Sequence, residues 1–270
     1  MTAVEQAKEL VQGGLLHAAI ESVTQAVKGD PVNGMLRTVL FELLCFAGDW
    51  DRAEKQLDVI GHQDAKTEIG VLTYRQLIAG EKARRRVFEQ GVQPHFFQEP
   101  PSYIDRQLRA LMERQQGLSE AAAKTLDEAM VQWPRLGGRI NGRRFDEFRD
   151  ADDTLGPVLE VLARDQYAWL PFEQISRVEF QAPKRLRDAL WVEARIEMKG
   201  HKLAQVFVPA LYVQSSEQPD ERLKLGRMTN WLALGNDRFQ GIGQRMFWVD
   251  SSEESILGLR NIHIESNTRR

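Results

Sequence analysis

The spacing of apolar residues divides the chain into two parts near residue 134. Before it, apolar residues recur every three or four positions, which is typical of amphipathic helices; after it, they form short alternating runs, which is typical of strands. The clearest helical run, MLRTVLFELL, ends at Leu44 and is soon followed by GDWDRA, which begins at Gly48. Because glycine ends helices in a left-handed conformation that other residues avoid, Gly48 predicts a turn between two paired helices.

This turn recurs at a fixed spacing. Gly14 precedes Gly48 by 34 residues, Ala19 precedes Ala53 by the same interval, and a third copy begins at Gly117. Thirty-four residues is the length of the tetratricopeptide (TPR) repeat, a helix–turn–helix unit whose alanine lies where the two helices cross closely. The spacing, together with a longer helix expected at 67–90, predicts about seven helices before residue 134, stacked as a short, irregular solenoid with a concave face.

The second part of the chain predicts a small antiparallel sheet. PVLEVLA and QYAWLPF flank a turn at Arg164 and Asp165, and a second hairpin is expected around Gly200. Further strands are indicated by ISRVEFQAP, GQRMFWVD and LRNIHIE, which makes about five strands or more, with short helices at 184–190 and 220–225.

These patterns predict an α+β fold. We expect an all-α, TPR-like repeat domain at 1–134, a glycine- and arginine-rich linker at 135–144, and a smaller, mostly antiparallel α+β domain at 145–270.

Charge and composition exclude several classes of protein. The 270 residues carry a net charge of −3, without the basic domain that would track a nucleic acid. We expect neither a nucleic acid nor a membrane as a partner, since no apolar run is long enough to span a bilayer. Cys45 is the only cysteine and lies in an apolar helical run, which predicts a small core residue. The absence of a signal-peptide pattern and of any internal disulfide predicts a cytoplasmic protein.

Few residues suggest chemistry. The acidic stretch FDEFRDADD could in principle hold a hard cation, although it lacks the calcium-loop pattern, and carboxylates that cap helices or pair with neighbouring arginines are the simpler interpretation. The basic stretch EKARRRVF is interpreted as a solvated helix face, and GIGQR as a bulge or turn. None of the histidines is spaced as a metal ligand; they are His17, His62, His95, His201 and His263. We therefore predict no catalytic residue, no metal and no cofactor.

Several stretches, in order along the chain, resemble the ImpE/SciE family, also called TagJ, of bacterial type VI secretion clusters. They include LRTVLFELLCFAGDWDRAEKQLD, YRQLIAGEKARRRVF, FRDADDTLGPVLEVL, YAWLPFEQI, LRDALWVEARI, VFVPALY and LKLGRMTNWL. The resemblance implies a non-enzymatic accessory protein that binds the small subunit of the contractile sheath through a helix near that subunit's N-terminus. It also implies a role near the ATPase that recycles the sheath.

The TPR frame predicts which residues would face such a partner. They are Met35, Thr38, Glu42 and Phe46 on one helix and Ile104, Gln107, Leu111 and Arg114 on another. We expect Phe46→Ala or Leu111→Ala to weaken binding and Arg85→Ala to have little effect.

Two alternatives to the sheath adaptor remain open. One is a scaffold or chaperone for another secretion client. The other is an enzyme with a site in the C-terminal part, around residues 150–153 or the segment of Arg227 and Trp231.

Overall fold

Seven helices precede residue 134 in the computed structural model, which describes residues 1–61 and 65–265. Each helix packs on the next, which confirms the predicted helical array. The helices are α1 (Ala3–Gln12), α2 (Leu16–Gly29), α3 (Gly34–Phe46), α4 (Trp50–Gly61), α5 (Ala65–Gln90), α6 (Tyr103–Gln115) and α7 (Ser119–Met130).

The turns of the array are made by the glycines that the repeat predicts. Gly14, Gly48 and Gly117 have φ angles of 78°, 71° and 77°, in the region that only glycine occupies without strain. Ala19 and Ala53 are both fully buried at helix crossings. The 34-residue spacing therefore reflects the positions of the turns and of the closely packed alanines.

The second part of the chain forms antiparallel sheets. The first seven strands are β1 (Gly137–Ile140), β2 (Arg143–Phe145), β3 (Phe148–Asp150), β4 (Val158–Ala163), β5 (Gln166–Pro171), β6 (Ile175–Phe180) and β7 (Trp191–Met198). The remaining strands of the described residues are β8 (His201–Pro209), β9 (Thr229–Gly235), β10 (Arg238–Gly243), β11 (Met246–Val249), β12 (Ser252–Ser255) and β13 (Asn261–Glu265). The largest sheet has eight strands in the order β2-β1-β13-β6-β7-β8-β4-β5. A two-stranded sheet pairs β9 with β10, and a three-stranded sheet has the order β12-β11-β3.

Both predicted hairpins are present. β4 and β5 are joined through Arg164, with φ 57°, and β7 and β8 through Gly200, with φ 87°. The two predicted short helices are also present. They are a 3-10 helix at Leu186–Ala189 and helix α8 (Glu221–Lys224). The α+β fold class is thus confirmed.

The segment predicted as a linker, 135–144, instead contains strand β1 and the start of β2. Asn141 and Gly142, with φ angles of 49° and 84°, form a tight turn between these strands. At Gly138 a Cβ would lie 2.0 Å from the carbonyl oxygen of His263 on β13, so only glycine lets the strands approach. The glycines that suggested a flexible linker serve strand pairing.

The helices and the sheet share one hydrophobic core. Leu77 and Ile78 of α5 belong to the same buried cluster as Leu162 of β4 and Trp169 of β5. A second cluster lies on the other side of the sheet. The outer edge of β5 is covered by His95, whose backbone nitrogen and oxygen bond the backbone of Tyr167 and Trp169 at 3.0 Å each. The division into folding domains at 1–134 and 145–270 stays a prediction.

Candidate functional site

The eight residues predicted to face a partner separate into two cavities and the core. Met35, Thr38 and Glu42 line a groove between α1 and α3. Three of the four predicted positions on α6 line a second cavity, which is described below. The two cavities share no lining residue, so the predicted positions do not line one common cavity.

We call the first cavity the α1/α3 groove; its volume is about 760 Å³. Its walls are mainly apolar, and Met35, at 68 % exposure, stands open to solvent in it. The apolar lining consists of Val4, Ala7, Val11, Met35, Val39, Leu43 and Leu186, and the polar lining of Lys8, Gln12, Thr38, Glu42, Lys184, Arg185 and Arg187.

One wall of this groove comes from the sheet part of the chain. The backbone nitrogens of Lys184 and Arg185 donate to Asp188 Oδ2 at 2.7 and 2.9 Å, which holds the segment in a fixed turn. Arg187 donates to Glu42 Oε1 over 2.7 Å and lies 4.7 Å from the ring centre of Tyr74. The segment is thereby anchored on α3 and α5.

The groove has a positive rim. Lys8, Lys184 and Arg185 are exposed, and in the part of the chain that the structure describes none of them forms an ion pair. Glu42, by contrast, is buried; burial raises the pKa of its carboxyl, and Arg187 opposes that shift. The groove thus offers apolar walls and unpaired cations.

Two of the predicted partner residues are not available on any surface. Phe46 is 1 % exposed and Ile104 is fully buried, and both belong to the core shared by helices and sheet. Leu211 and Tyr212 belong to the same buried cluster and line a small cavity together with Phe46. The assignment of Phe46 and Ile104 to a partner-facing surface is therefore wrong in this structure.

We call the second cavity the α6/α7 cavity; its volume is about 290 Å³. Gln107, Leu111 and Arg114, at i, i+4 and i+7 on α6, line it on one side, and α7 and β9 enclose it on the others. Leu111 is 5 % exposed. The partner role of these three residues stays a prediction.

The acidic stretch becomes a buried polar network. Asp150 accepts from Arg245 over 2.6 Å and from the Tyr212 hydroxyl over 3.0 Å. Asp152 accepts from the backbone nitrogens of Thr154 and Gly241 at 2.8 and 3.1 Å. Burial, followed by the nearby charge of Asp150, raises the pKa of Asp152 to about 7.

This network continues into the helical array. Glu160, fully buried, accepts two hydrogen bonds from Arg84 at 2.8 and 3.0 Å and further bonds from Arg245 and the Tyr167 hydroxyl. Arg84 also donates to the Leu211 carbonyl over 2.9 Å. Arg84 is 3 % exposed, so the interpretation of its stretch as a solvated face is wrong at this position.

Sequence reasoning missed the members of this network outside the acidic stretch. A signal was present, because Glu160 is the single charge in the run PVLEVLA and Arg245 stands just before MFWV. An isolated charge in an apolar run is expected to have a buried partner. Asp150, Asp152 and Glu160 are each engaged by arginine, hydroxyl or backbone groups.

The other residues with possible chemistry are the histidines and the cysteine. Within residues 1–61 and 65–265, no three His, Cys, Asp or Glu side chains come together as a metal site would require. His17 bonds Glu221, and His62 lies outside the described residues. Cys45 is buried, and burial raises the pKa of its thiol well above the usual range. None of the described helices is long and apolar enough to cross a membrane.

Comparisons with known proteins agree with this architecture. The family described as "ImpE protein" matches residues 142–263. The chain is 36 % identical over 259 residues to the type VI secretion system accessory component TagJ of Pseudomonas aeruginosa, covering 96 % of this chain and 91 % of that protein. A crystal structure of a Vibrio parahaemolyticus protein matches the fold with a TM-score of 0.88 at 24 % identity, over 96 % of this chain and 97 % of that one.

Proposed function

The chain belongs to the ImpE family, and from this we propose that it is a type VI secretion accessory protein whose α1/α3 groove binds an amphipathic helix of the small contractile-sheath subunit. The name of the Pseudomonas relative supports the accessory role. The observation that carries the binding mode is the groove itself, which is large, apolar and edged with unpaired cations.

The shape of the groove suits a helix. A helical segment binds a groove by inserting apolar residues at i, i+3, i+4 and i+7, while its polar face stays in water. Here α1 and α3 form two apolar walls, with Met35 exposed and Leu43 at the buried base. An isolated α-helix that fills this space would shield the side chain of Met35, which is otherwise 68 % exposed.

The charges of the rim define the partner further. Lys8 stands on the α1 side and Lys184 and Arg185 on the opposite wall, so both edges of the groove are positive. We therefore propose that the bound helix carries acidic residues beside its apolar stripe. Such charges mainly set orientation and association rate, while the apolar anchors supply most of the binding free energy.

The cellular setting follows from the same proposal. We propose that the protein acts in the bacterial cytoplasm and that its capture of the sheath subunit modulates recycling of the sheath by the ATPase. The single buried thiol, Cys45, suits a reducing compartment. An accessory protein of this kind acts by binding, and we propose no reaction for it.

The test is calorimetric titration of the full chain with a synthetic peptide of the sheath subunit's N-terminal helix, beside a scrambled peptide. We expect a Kd in the micromolar range or tighter, about −8 kcal/mol. Met35→Asp should weaken binding at least tenfold, since it places a charge in the apolar groove. Ile69→Asp is the matched control, because Ile69 is similarly exposed, at 75 %, on a surface outside the groove.

The outcomes separate the alternatives. Binding that Met35→Asp abolishes and Ile69→Asp preserves supports the groove. Equal binding by both variants would show that the helix binds elsewhere. If the peptide does not bind but another purified secretion component, such as the ATPase, co-migrates with the protein, the scaffold for a different client becomes the better account.

A further inference from the structure

The α6/α7 cavity exists because its walls are made of small residues. Ala110 of α6 and Ala122 and Ala123 of α7 face it, and β9 closes it with Ala233 and Gly235. Native interiors rarely leave voids larger than a water molecule. A space of about 290 Å³ equals roughly ten water molecules, at about 30 Å³ each, which is near the lower end of ligand-binding cavities.

Gln107, which lines this cavity, carries an unsatisfied acceptor. Its side chain is 1 % exposed, and its Nε2 donates to the carbonyls of Thr154 and Leu155 at 3.3 and 3.0 Å. These two acceptors determine the orientation of the amide, because the reverse orientation would set its oxygen against both carbonyls. Oε1 is buried and has no hydrogen-bond partner among the described residues. A buried acceptor without a donor is unfavourable.

Arg114, which also lines the cavity, supplies a cation. It lies seven residues after Gln107 on the same face of α6, about 10 Å further along the axis at 1.5 Å per residue. It donates to Gln240 Oε1, and within the described residues no carboxylate lies within ion-pair distance of it. Burial lowers the pKa of its guanidinium, and the charge of Asp152 opposes that shift.

We propose that the α6/α7 cavity binds a small amphiphilic carboxylate that no comparison assigns to this protein. The ligand has an apolar body of about ten non-hydrogen atoms, a carboxylate that accepts from Arg114, and a hydroxyl or N–H group that donates to Gln107 Oε1. The alanine walls contact the apolar body. A hydroxyaryl carboxylate meets all three requirements within about 10 Å.

This site is independent of the sheath-binding proposal. It lies between α6, α7 and β9, whereas the α1/α3 groove lies between α1, α3 and the segment of Lys184, with no lining residue in common. Loss of one function should leave the other unchanged, so the failure of either proposal can be recognised separately.

The experiment uses 3-(4-hydroxyphenyl)propionate as the probe, with ligand-observed NMR and calorimetry on the full chain. We expect saturable binding with a Kd below a millimolar. 3-Phenylpropionate, which lacks the donor, and 4-ethylphenol, which lacks the carboxylate, should each bind at least tenfold more weakly. Arg114→Met should remove the preference for the carboxylate while 4-ethylphenol binding is retained.

Occlusion of the cavity provides the variant test. Ala122→Leu should abolish probe binding, whereas Ala121→Leu, at the exposed neighbouring position on α7, should leave it unchanged. If Ala122→Leu unfolds, Ala110→Leu tests the same space from α6. A contact between probe protons and the Leu111 methyl groups, read by NMR on the unmodified chain, locates the site without any variant.

Two results would overturn the proposal. One is no binding of any of the three compounds at several millimolar, which would mean that the cavity holds ordered water only. The other is binding that persists in the occluded variant or that shows no contact with Leu111, which would place the probe elsewhere.

Discussion

The middle and the N-terminal end of the helical array consist of similar helices. Side chains in the middle are buried against the sheet, whereas side chains at the N-terminal end line an exposed groove. On α5, Arg84 is 3 % exposed and bonds to the sheet residue Glu160. On α3, Met35 is 68 % exposed and lines a groove. The difference arises from the second part of the chain. Its strands β4 and β5 pack on α5, and its residues Leu211 and Tyr212 share a buried cluster with the end of α3, whereas the start of α3 stays exposed. A repeat frame alone therefore does not say which of its faces binds a partner.

The covered region also buries charged side chains, whereas the charged side chains of the open region stay in solvent. Burying ions is unfavourable unless each one is paired and hydrogen-bonded, so removing a single member should be costly. Exposed cations at the groove can be removed with little effect on stability. The four predictions below test this contrast.

The largest effect is expected for Glu160→Gln. This change leaves Arg84 and Arg245 buried with less compensating charge, and we expect a loss of about 3–5 kcal/mol in the free energy of unfolding. Chemical denaturation measures it. Glu254→Gln, which removes the exposed partner of Arg143, is the control and should cost at most about 1 kcal/mol. A similarly small loss of unfolding free energy in both variants would contradict the expected difference between buried and exposed ion pairs.

Phe46→Ala should destabilise the protein by about 3–5 kcal/mol, because it opens a cavity in the shared core. Met35→Ala, on the same helix but in the groove, should change stability by less than about 0.5 kcal/mol. Thermal and denaturant unfolding of both variants check this. If Phe46→Ala keeps its stability and loses only affinity for the sheath peptide, Phe46 belongs to the binding surface after all.

A pH dependence is expected from the covered region. The pKa of Asp152 rises from 3.8 to about 7 on folding, so the folded state binds more protons than the unfolded state between these values. The free energy of unfolding should therefore fall as pH rises, by about 2 kcal/mol from pH 5 to pH 7, and level off above. Denaturant titrations at several pH values measure the slope. Asp152→Asn should flatten it, whatever its own stability; an unchanged slope would assign the effect to another group.

The smallest effect on stability is expected at the rim of the groove. Lys184→Ala together with Arg185→Ala should change the free energy of unfolding by less than about 0.5 kcal/mol. The same double variant should slow association with the sheath peptide severalfold and reduce its dependence on salt, since it removes unpaired cations. Stopped-flow association at two salt concentrations tests this. An unaltered salt dependence would show that the rim does not face the bound peptide.

Much of the local structure could be predicted from the sequence. The helical array, the turns at Gly14, Gly48 and Gly117, and the hairpins at Arg164 and Gly200 follow from residue spacing and from glycine's backbone freedom. These features depend on neighbours within a few positions, so a local pattern carries them. The family resemblance, which extends over most of the chain, could also be seen in the sequence and is confirmed.

The linker and the partner surface show where local patterns fail. The glycines in 135–144 have the composition of a flexible segment, but the close approach of β13 at Gly138 is a contact with a strand far along the chain. Phe46 and Met35 occupy the same repeat face, and no spacing rule distinguishes them. Only the tertiary structure, which places Phe46 in a buried cluster with distant residues such as Leu211 and Tyr212, decides that one is core.

The sequence by itself determined the helices of the array, the turns that join them, two of the hairpins and the family of the protein. The tertiary structure alone decided which helix faces the sheet covers, and hence that the predicted surface becomes two separate cavities and two core residues. It also alone brought Arg84, Glu160 and Arg245 into one network, across separations of 76 and 85 residues. The physical reason is that helix and strand periodicity is a local property, whereas burial and charge pairing depend on which distant segments meet.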